Sequence, residues 1–118
     1  MSRGMTWGME ILQDRAGDAL VVTVAGRLDS ASAGAFRDAL APLDAAREPR
    51  IVLDLGRVDY ISSAGLAVLL WMAKRMRDSG RSFVLCEVGV QVRRVLELAS
   101  YIQYFTIAAT RDEALALM

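Results

Sequence analysis

Five consecutive residues, Ile51-Val-Leu-Asp-Leu55, constrain this chain more than any other stretch. A half-buried strand alternates apolar and polar side chains, whereas a near-continuous apolar run implies cover on both faces. Such a strand belongs in the middle of a sheet, with helices above and below it. The flanking segments supply helices. Phe36, Ala39, Leu40 and Leu43 recur at helical spacing over Ser32 to Leu43, with Arg37, Asp38 and Asp44 facing away. Asp29, Ser30 and Ser32 are candidate N-caps for this helix. Leu66, Leu69, Leu70, Ala73 and Met76 predict a longer helix over Ser63 to Ser79, with Lys74, Arg75, Arg77 and Asp78 in its last turns and Gly80 as the stop.

The remaining segments fit the same plan. Trp7, Met9 and Ile11 share one face of a strand over Trp7 to Gln13, and Leu20, Val22 and Val24 do the same after Asp14-Arg-Ala-Gly-Asp18, which predicts a hairpin. A strand over Ser82 to Cys86 leads to a short helix with Val92, Val95, Leu96 and Ala99 inward. A strand near Phe105 to Ile107 precedes a helix opened by Thr110-Arg-Asp-Glu113, a capping-box pattern. The order ββαβαβαβα predicts an α/β fold over 1–118 as a single domain: a mixed, mostly parallel β-sheet with an N-terminal hairpin and helices packed against it.

Composition closes off much chemistry. There is no histidine in the 118 residues, which removes Ser-His-Asp and Cys-His nucleophiles, histidine phosphotransfer and nearly all zinc sites. No metal and no cofactor are expected. The single cysteine, Cys86, cannot form an internal disulfide and lies in the apolar run Phe83-Val-Leu-Cys86, as a small buried thiol would. The 14 basic residues are balanced by 14 acidic ones dispersed along the chain, so no basic stripe invites nucleic acid. No apolar run reaches the ~18 residues of a membrane span, and Met1 to Thr6 lacks the apolar stretch of a signal peptide, so a cytoplasmic protein is expected.

No glycine-rich phosphate loop follows a strand. A phospho-aspartate receiver site at Asp54 would need an acidic cluster and a nearby lysine, but the only lysine, Lys74, falls mid-helix. A small nucleotide hydrolase built on Asp54 or Asp59 is disfavoured on the same grounds. The densest remaining signal is Gly56-Arg-Val-Asp-Tyr-Ile-Ser-Ser-Ala-Gly65, read as a loop joining the central strand to the longest helix, at the carboxyl end of a parallel strand where sites collect. Ser62, Ser63, Ala64 and Gly65 bring backbone near the surface and leave hydroxyls accessible. Either serine could equally be only the helix cap. Leu66, Val68, Trp71 and Met72 widen the apolar side of that helix, either because neighbouring elements cover it tightly or because it docks a partner.

Ile51 to Leu66, with the upstream Gly26-Arg-Leu-Asp29, resembles the STAS domain and specifically the anti-sigma factor antagonists. The resemblance covers nearly the whole chain. It implies a non-enzymatic partner switch. An unphosphorylated antagonist binds an anti-sigma factor that is also a serine protein kinase and so frees the sigma factor. Phosphorylation of a loop serine stops binding, and a serine phosphatase restores it. The acceptor position so implied is Ser63, with Ser62 as second choice, because Ser62 stands where the family usually carries an acidic residue. The implied partner-binding surface comprises Asp29, Ser30, Asp59, Ser62, Ser63, Ala64, Gly65 and Leu66. The alternative within the same fold is a non-phosphorylated STAS subunit of another assembly, such as a lipid-transport ABC system or a stressosome-like scaffold.

Overall fold

A computed structural model describes residues 2–6 and 8–117. Its centre is one sheet of six strands in the order β1-β2-β3-β4-β5-β6. These are β1 (Ser2–Thr6), β2 (Met9–Ala16), β3 (Ala19–Leu28), β4 (Arg50–Ile61), β5 (Ser82–Cys86) and β6 (Thr106–Ala108). The first three pair antiparallel and the rest parallel. The helices are α1 (Ala33–Ala45), α2 (Ser63–Asp78), α3 (Val90–Leu98) and α4 (Arg111–Ala116), with a 3-10 turn at Ile102–Tyr104. The mixed, mostly parallel α/β sheet is therefore as expected. β1 is an addition that the sequence pattern did not reveal. The expected first strand begins at Met9, with Met9 and Ile11 buried on the inner face, while Trp7 lies outside the described residues.

Alternation along the strands divides the core in two. Leu20, Val22, Ile51, Leu53, Phe83 and Leu85 face one side, where Phe36 and Leu40 of α1, Leu69, Met72 and Met76 of α2 and Val92 and Leu96 of α3 close over them. Val21, Val52, Val84 and Cys86 face the other side, against Ala114 of α4. The central run Ile51 to Leu55 is covered on both faces, as its composition requires. Cys86 is fully buried, and burial first, then the charges of Asp54 and Glu87, push its thiol up to about 12. It is an inert packing residue. Leu66, Val68 and Met72 are buried in the main core, so tight cover explains the wide apolar face of α2. Trp71 is half-buried beneath Arg37, whose guanidinium lies 4.4 Å from the ring centroid.

Two expectations are corrected. Asp44 does not face away: it is buried at the end of α1 and takes charge-assisted hydrogen bonds from Arg81 and Arg75. Helical spacing marks apolar positions, and it gives no sign that a carboxylate will be turned inward by cations from elsewhere in the chain. The Arg81 hydrogen bond, aided by Arg75, holds Asp44 below the ordinary carboxylate range despite its burial. The second correction concerns the segment expected to be a loop from Gly56. β4 continues to Ile61, paired with β3 through Leu28. Leu55, Val58 and Ile61 are buried there while Arg57, Asp59 and Tyr60 are exposed. The connection to α2 shrinks to Ser62 alone.

At the C-terminal end, Thr110 accepts the amide of Glu113 at 3.1 Å, as the capping pattern predicts. The carboxylate of Glu113 reaches back to the amide of Ala109 rather than to that of Thr110. Arg111 then fastens α4 to the sheet: its guanidinium donates to Asp54 at 2.8 Å and to the Thr23 hydroxyl at 2.8 Å.

Candidate functional site

The carboxyl ends of β3 and β4 bring together the two motifs that are far apart in sequence. Register shifts between Thr23 and Ala25 and between Gly26 and Arg27 set Arg27 opposite Tyr60 and Leu28 opposite Ile61. Past these ends the Ser62 amide donates to the Leu28 carbonyl at 2.8 Å. Gly65 completes the junction. A Cβ at that position would lie 2.5 Å from the Leu28 carbonyl oxygen and 2.9 Å from the Leu28 Cβ, so only glycine lets the first turn of α2 rest on the end of β3.

The two serines are not equivalent. Ser62 is the N-cap, in extended conformation, and its hydroxyl accepts from the Gly65 amide at 3.4 Å, a long bond. Ser63 is the first residue of α2 and is exposed. Among the described residues its hydroxyl has no hydrogen-bond partner. The capping alternative thus belongs to Ser62 and not to Ser63. Ala64 is half-buried, and Gly65 and Leu66 are buried, so the last two support the surface from beneath and do not form it.

Asp29 folds the opposite strand end. Its carboxylate accepts the amides of Ala31 at 3.0 Å and Ser32 at 3.1 Å, an Asx-type turn that leads the chain into α1. Desolvation opposes ionisation, yet the amides of Ser32 and Ala31 outweigh it and hold Asp29 below its ordinary value. Ser32 is the N-cap residue of α1 but makes no cap hydrogen bond; its hydroxyl donates to the Arg27 carbonyl at 2.6 Å and accepts the Asp29 amide at 3.0 Å. Ser30 is exposed at the tip of the turn. Asp59 is exposed on β4, three residues before Ser62, and shares this end of the sheet.

Two residues that sequence reasoning did not single out join the same surface. Arg27 ion-pairs with Asp29 at 3.5 Å and lies over the Tyr60 ring, 4.3 Å from its centroid. Neither residue has a distinctive spacing. The signal was their pairing across β3 and β4, which depends on the two register shifts. Asp54 is away from this surface, held by Arg111 and by the Gly56 amide at 2.9 Å. Among the described residues no cluster of three or more acidic or cysteine side chains is placed to hold a metal ion, and no helix is long and apolar enough to cross a membrane.

Residues 11–102 match the family model described as Mlab, STAS domain. Over 108 residues, 92% of this chain and 93% of the relative, the chain is 40% identical to BtrV of Bordetella bronchiseptica, which is named as an anti-sigma factor antagonist. The chain belongs to the STAS domain family, among the anti-sigma factor antagonists. Its STAS fold superimposes on a crystal structure of an anti-sigma factor antagonist from Mycobacterium paratuberculosis with a TM-score of 0.82, at 27% identity over 92% of each chain. A second such structure, from Thermotoga maritima, matches with a TM-score of 0.86 at 24% identity, covering 91% of this chain and 92% of the other, and speaks to the fold alone. This STAS domain thus presents the end of β3, the end of β4 and the start of α2 as one surface.

Proposed function

We propose that this single STAS domain is a non-enzymatic partner switch: its unmodified form binds an anti-sigma factor with serine kinase activity, and phosphorylation of Ser63 ends binding until a serine phosphatase reverses it. The carrying observation is the division of labour between the serines. Ser62 spends its hydroxyl on the helix cap, while Ser63 offers a free hydroxyl one residue inside α2. A phosphate adds about −1.5 to −2 charge. The domain itself tolerates that charge, since the amino end of a helix favours an anion. A partner surface complementary to a neutral hydroxyl has instead to desolvate it, and each ~1.4 kcal/mol so lost is tenfold in affinity. Asp29, Ser30, Asp59 and the half-buried Ala64 complete the partner-binding face, with Gly65 and Leu66 shaping it from below.

In this reading Asp54 has a structural role, accepting from Arg111 and from the Gly56 amide and so holding α4 to the sheet. One feature favours the second reading, a STAS subunit that is never phosphorylated: Ser62 replaces the acidic residue that the family resemblance leads one to expect before the acceptor. The test is incubation with ATP and each ATPase-type anti-sigma kinase of the same genome, followed by intact mass measurement and a binding titration. One added phosphate on wild type and none on Ser63→Ala, with Ser63→Ala binding constitutively and Ser63→Asp at least tenfold more weakly, is the expected result. Modification at Ser62 would move the acceptor by one residue. Absence of modification by every kinase, with binding indifferent to both serines, would establish the non-phosphorylated subunit instead.

A further inference from the structure

The far end of α2 carries a groove that the switch does not use. It holds about 390 Å³ between the last turns of α2, the start of β5 and the 3-10 turn, and is lined by Arg77, Phe83, Tyr104 and Leu117 among others. Across the shared Arg77 and Tyr104 a smaller cleft of about 190 Å³ opens towards Leu70, Lys74 and Tyr101. The first volume is within the range of clefts that take small organic ligands, about 300–1,000 Å³. The groove has a topological cause. β6 is three residues long and pairs only with Val84 to Cys86, so Ser82 and Phe83 at the start of β5 have no strand beside them on that side. At 1.5 Å per helical residue, this end of α2 is about 20 Å from Ser63.

Its chemistry is two-sided. The lining is mixed: Phe83, Val84 and Leu117 stand among Arg81, Ser82 and Thr106, and Tyr104 leads on to Tyr101 of the smaller cleft, their ring centroids 5.9 Å apart. The rim is cationic. Lys74 has no ion pair among the described residues, and Arg77 has only the neighbouring Asp78 at 3.8 Å, both exposed, which is a weak claim on its charge. Arg81, also on the wall, is by contrast fully engaged with Asp44 and Ser79. Lys74 and Arg77 are three residues apart and therefore lie on one side of the helix. Apolar side chains interleaved with polar ones, beside the exposed cations Lys74 and Arg77, suit a molecule with an apolar chain and one anionic head.

We propose that this groove binds a single-chain anionic amphiphile, its chain laid over Phe83 beside Tyr104 and its carboxylate or phosphate head at Lys74 and Arg77. A concave cleft of this volume suits one chain taken up as a monomer, whereas docking on a bilayer calls for a convex or flat face. The probe is laurate below its micelle concentration, titrated into the full chain by calorimetry and followed by NMR at the rings of Phe83, Tyr101 and Tyr104. Saturable binding of one laurate per chain, with those ring signals shifting together and dodecanol binding at least tenfold more weakly, is expected. The double variant Lys74→Glu/Arg77→Glu, both positions being exposed, should lose tenfold or more in laurate affinity with an unchanged melting temperature. Arg77→Gln serves as the milder variant, with a smaller loss in the same direction. No saturable binding, an affinity indifferent to the charge changes, or binding to phosphatidylglycerol vesicles without monomer binding would each overturn the proposal. The Ser63 variants should bind laurate like wild type, so the two sites fail or stand separately.

Discussion

The two ends of α2 are built on opposite principles. At the amino end no acidic residue occupies the first turn, the cap is one neutral hydroxyl, and the fit depends on the missing side chain of Gly65. At the carboxyl end the helix is tied down by charge: Asp44 from α1 receives Arg75 from α2 and Arg81 from the start of β5, with Arg81 nearly buried. A polar but uncharged end can accept or lose an anion without rearranging. A charged, buried end cannot, because each ion is there only by virtue of its partner. The difference teaches where a switch can be placed on a helix whose position must not change.

The largest expected effect is at the charged end. Asp44→Ala leaves Arg81 buried without its carboxylate and should cost about 3–5 kcal/mol, read as a lower urea midpoint with an unchanged slope. A loss under about 1 kcal/mol would show that the two ends are not different in kind. The same group gives a pH signature. Because the folded state holds Asp44 below its ordinary value, its contribution is complete above the unfolded carboxylate range near 4 and is lost as pH falls through the lower folded value. The stability gap between wild type and Asp44→Asn should therefore shrink on acidification; a gap that widens instead would contradict the assignment.

Next comes Gly65→Ala, which sharpens the comparison by testing the steric end without touching charge. The added Cβ meets backbone, not a mobile side chain, so α2 has to shift, at about 1–3 kcal/mol. Partner affinity should fall as well, since Ser62 and Ser63 move with the helix start. Melting and partner titration together check this; a fully stable Gly65→Ala protein with intact binding would show that the junction is loose.

The smallest effects separate the two serines. Ser62→Ala should cost about 0.5–1 kcal/mol for a long cap bond, while Ser63→Ala leaves stability within about 0.5 kcal/mol and Ser63→Asp is neutral or slightly stabilising at the helix start. Thermal melts of the three variants rank them. Should Ser63→Ala prove the more damaging, the cap would have been placed one residue too early.

Much of this was legible in order along the chain. The apolar run Ile51 to Leu55, the helical spacing of Leu66, Leu69 and Met76, and the capping of α4 each reflect local periodicity, which follows from the geometry of a strand or helix. The short segment Ser82 to Cys86 was legible to the residue because all but its first residue are buried. Gly56 to Ile61 was misread because glycine, charged residues and a tyrosine in succession look like a loop. Only pairing with the far end of β3 makes them a strand, with Val58 and Ile61 turned inward. β1 was not legible at all, since Ser2 to Thr6 shows no apolar alternation and its strand state comes from the pairing with β2.

The sequence by itself therefore determined the α/β class, the central strand, the two long helices and the neighbourhood of the candidate site, because those depend on residues close together along the chain. Tertiary structure alone decided which serine is the cap and which is free, that Arg27 meets Tyr60, and that Asp44 is turned inward to Arg75 and Arg81. The Arg27–Tyr60 meeting and the Asp44 contacts span 31 or more positions. Although the Ser62 cap bond reaches only to Gly65, the start of α2 that makes Ser62 the cap is set by the pairing of β4 with β3 through Leu28. The physical reason is that a hydroxyl or carboxylate takes the nearest available donor in space. That donor is fixed only once the strands are paired and the helices are seated.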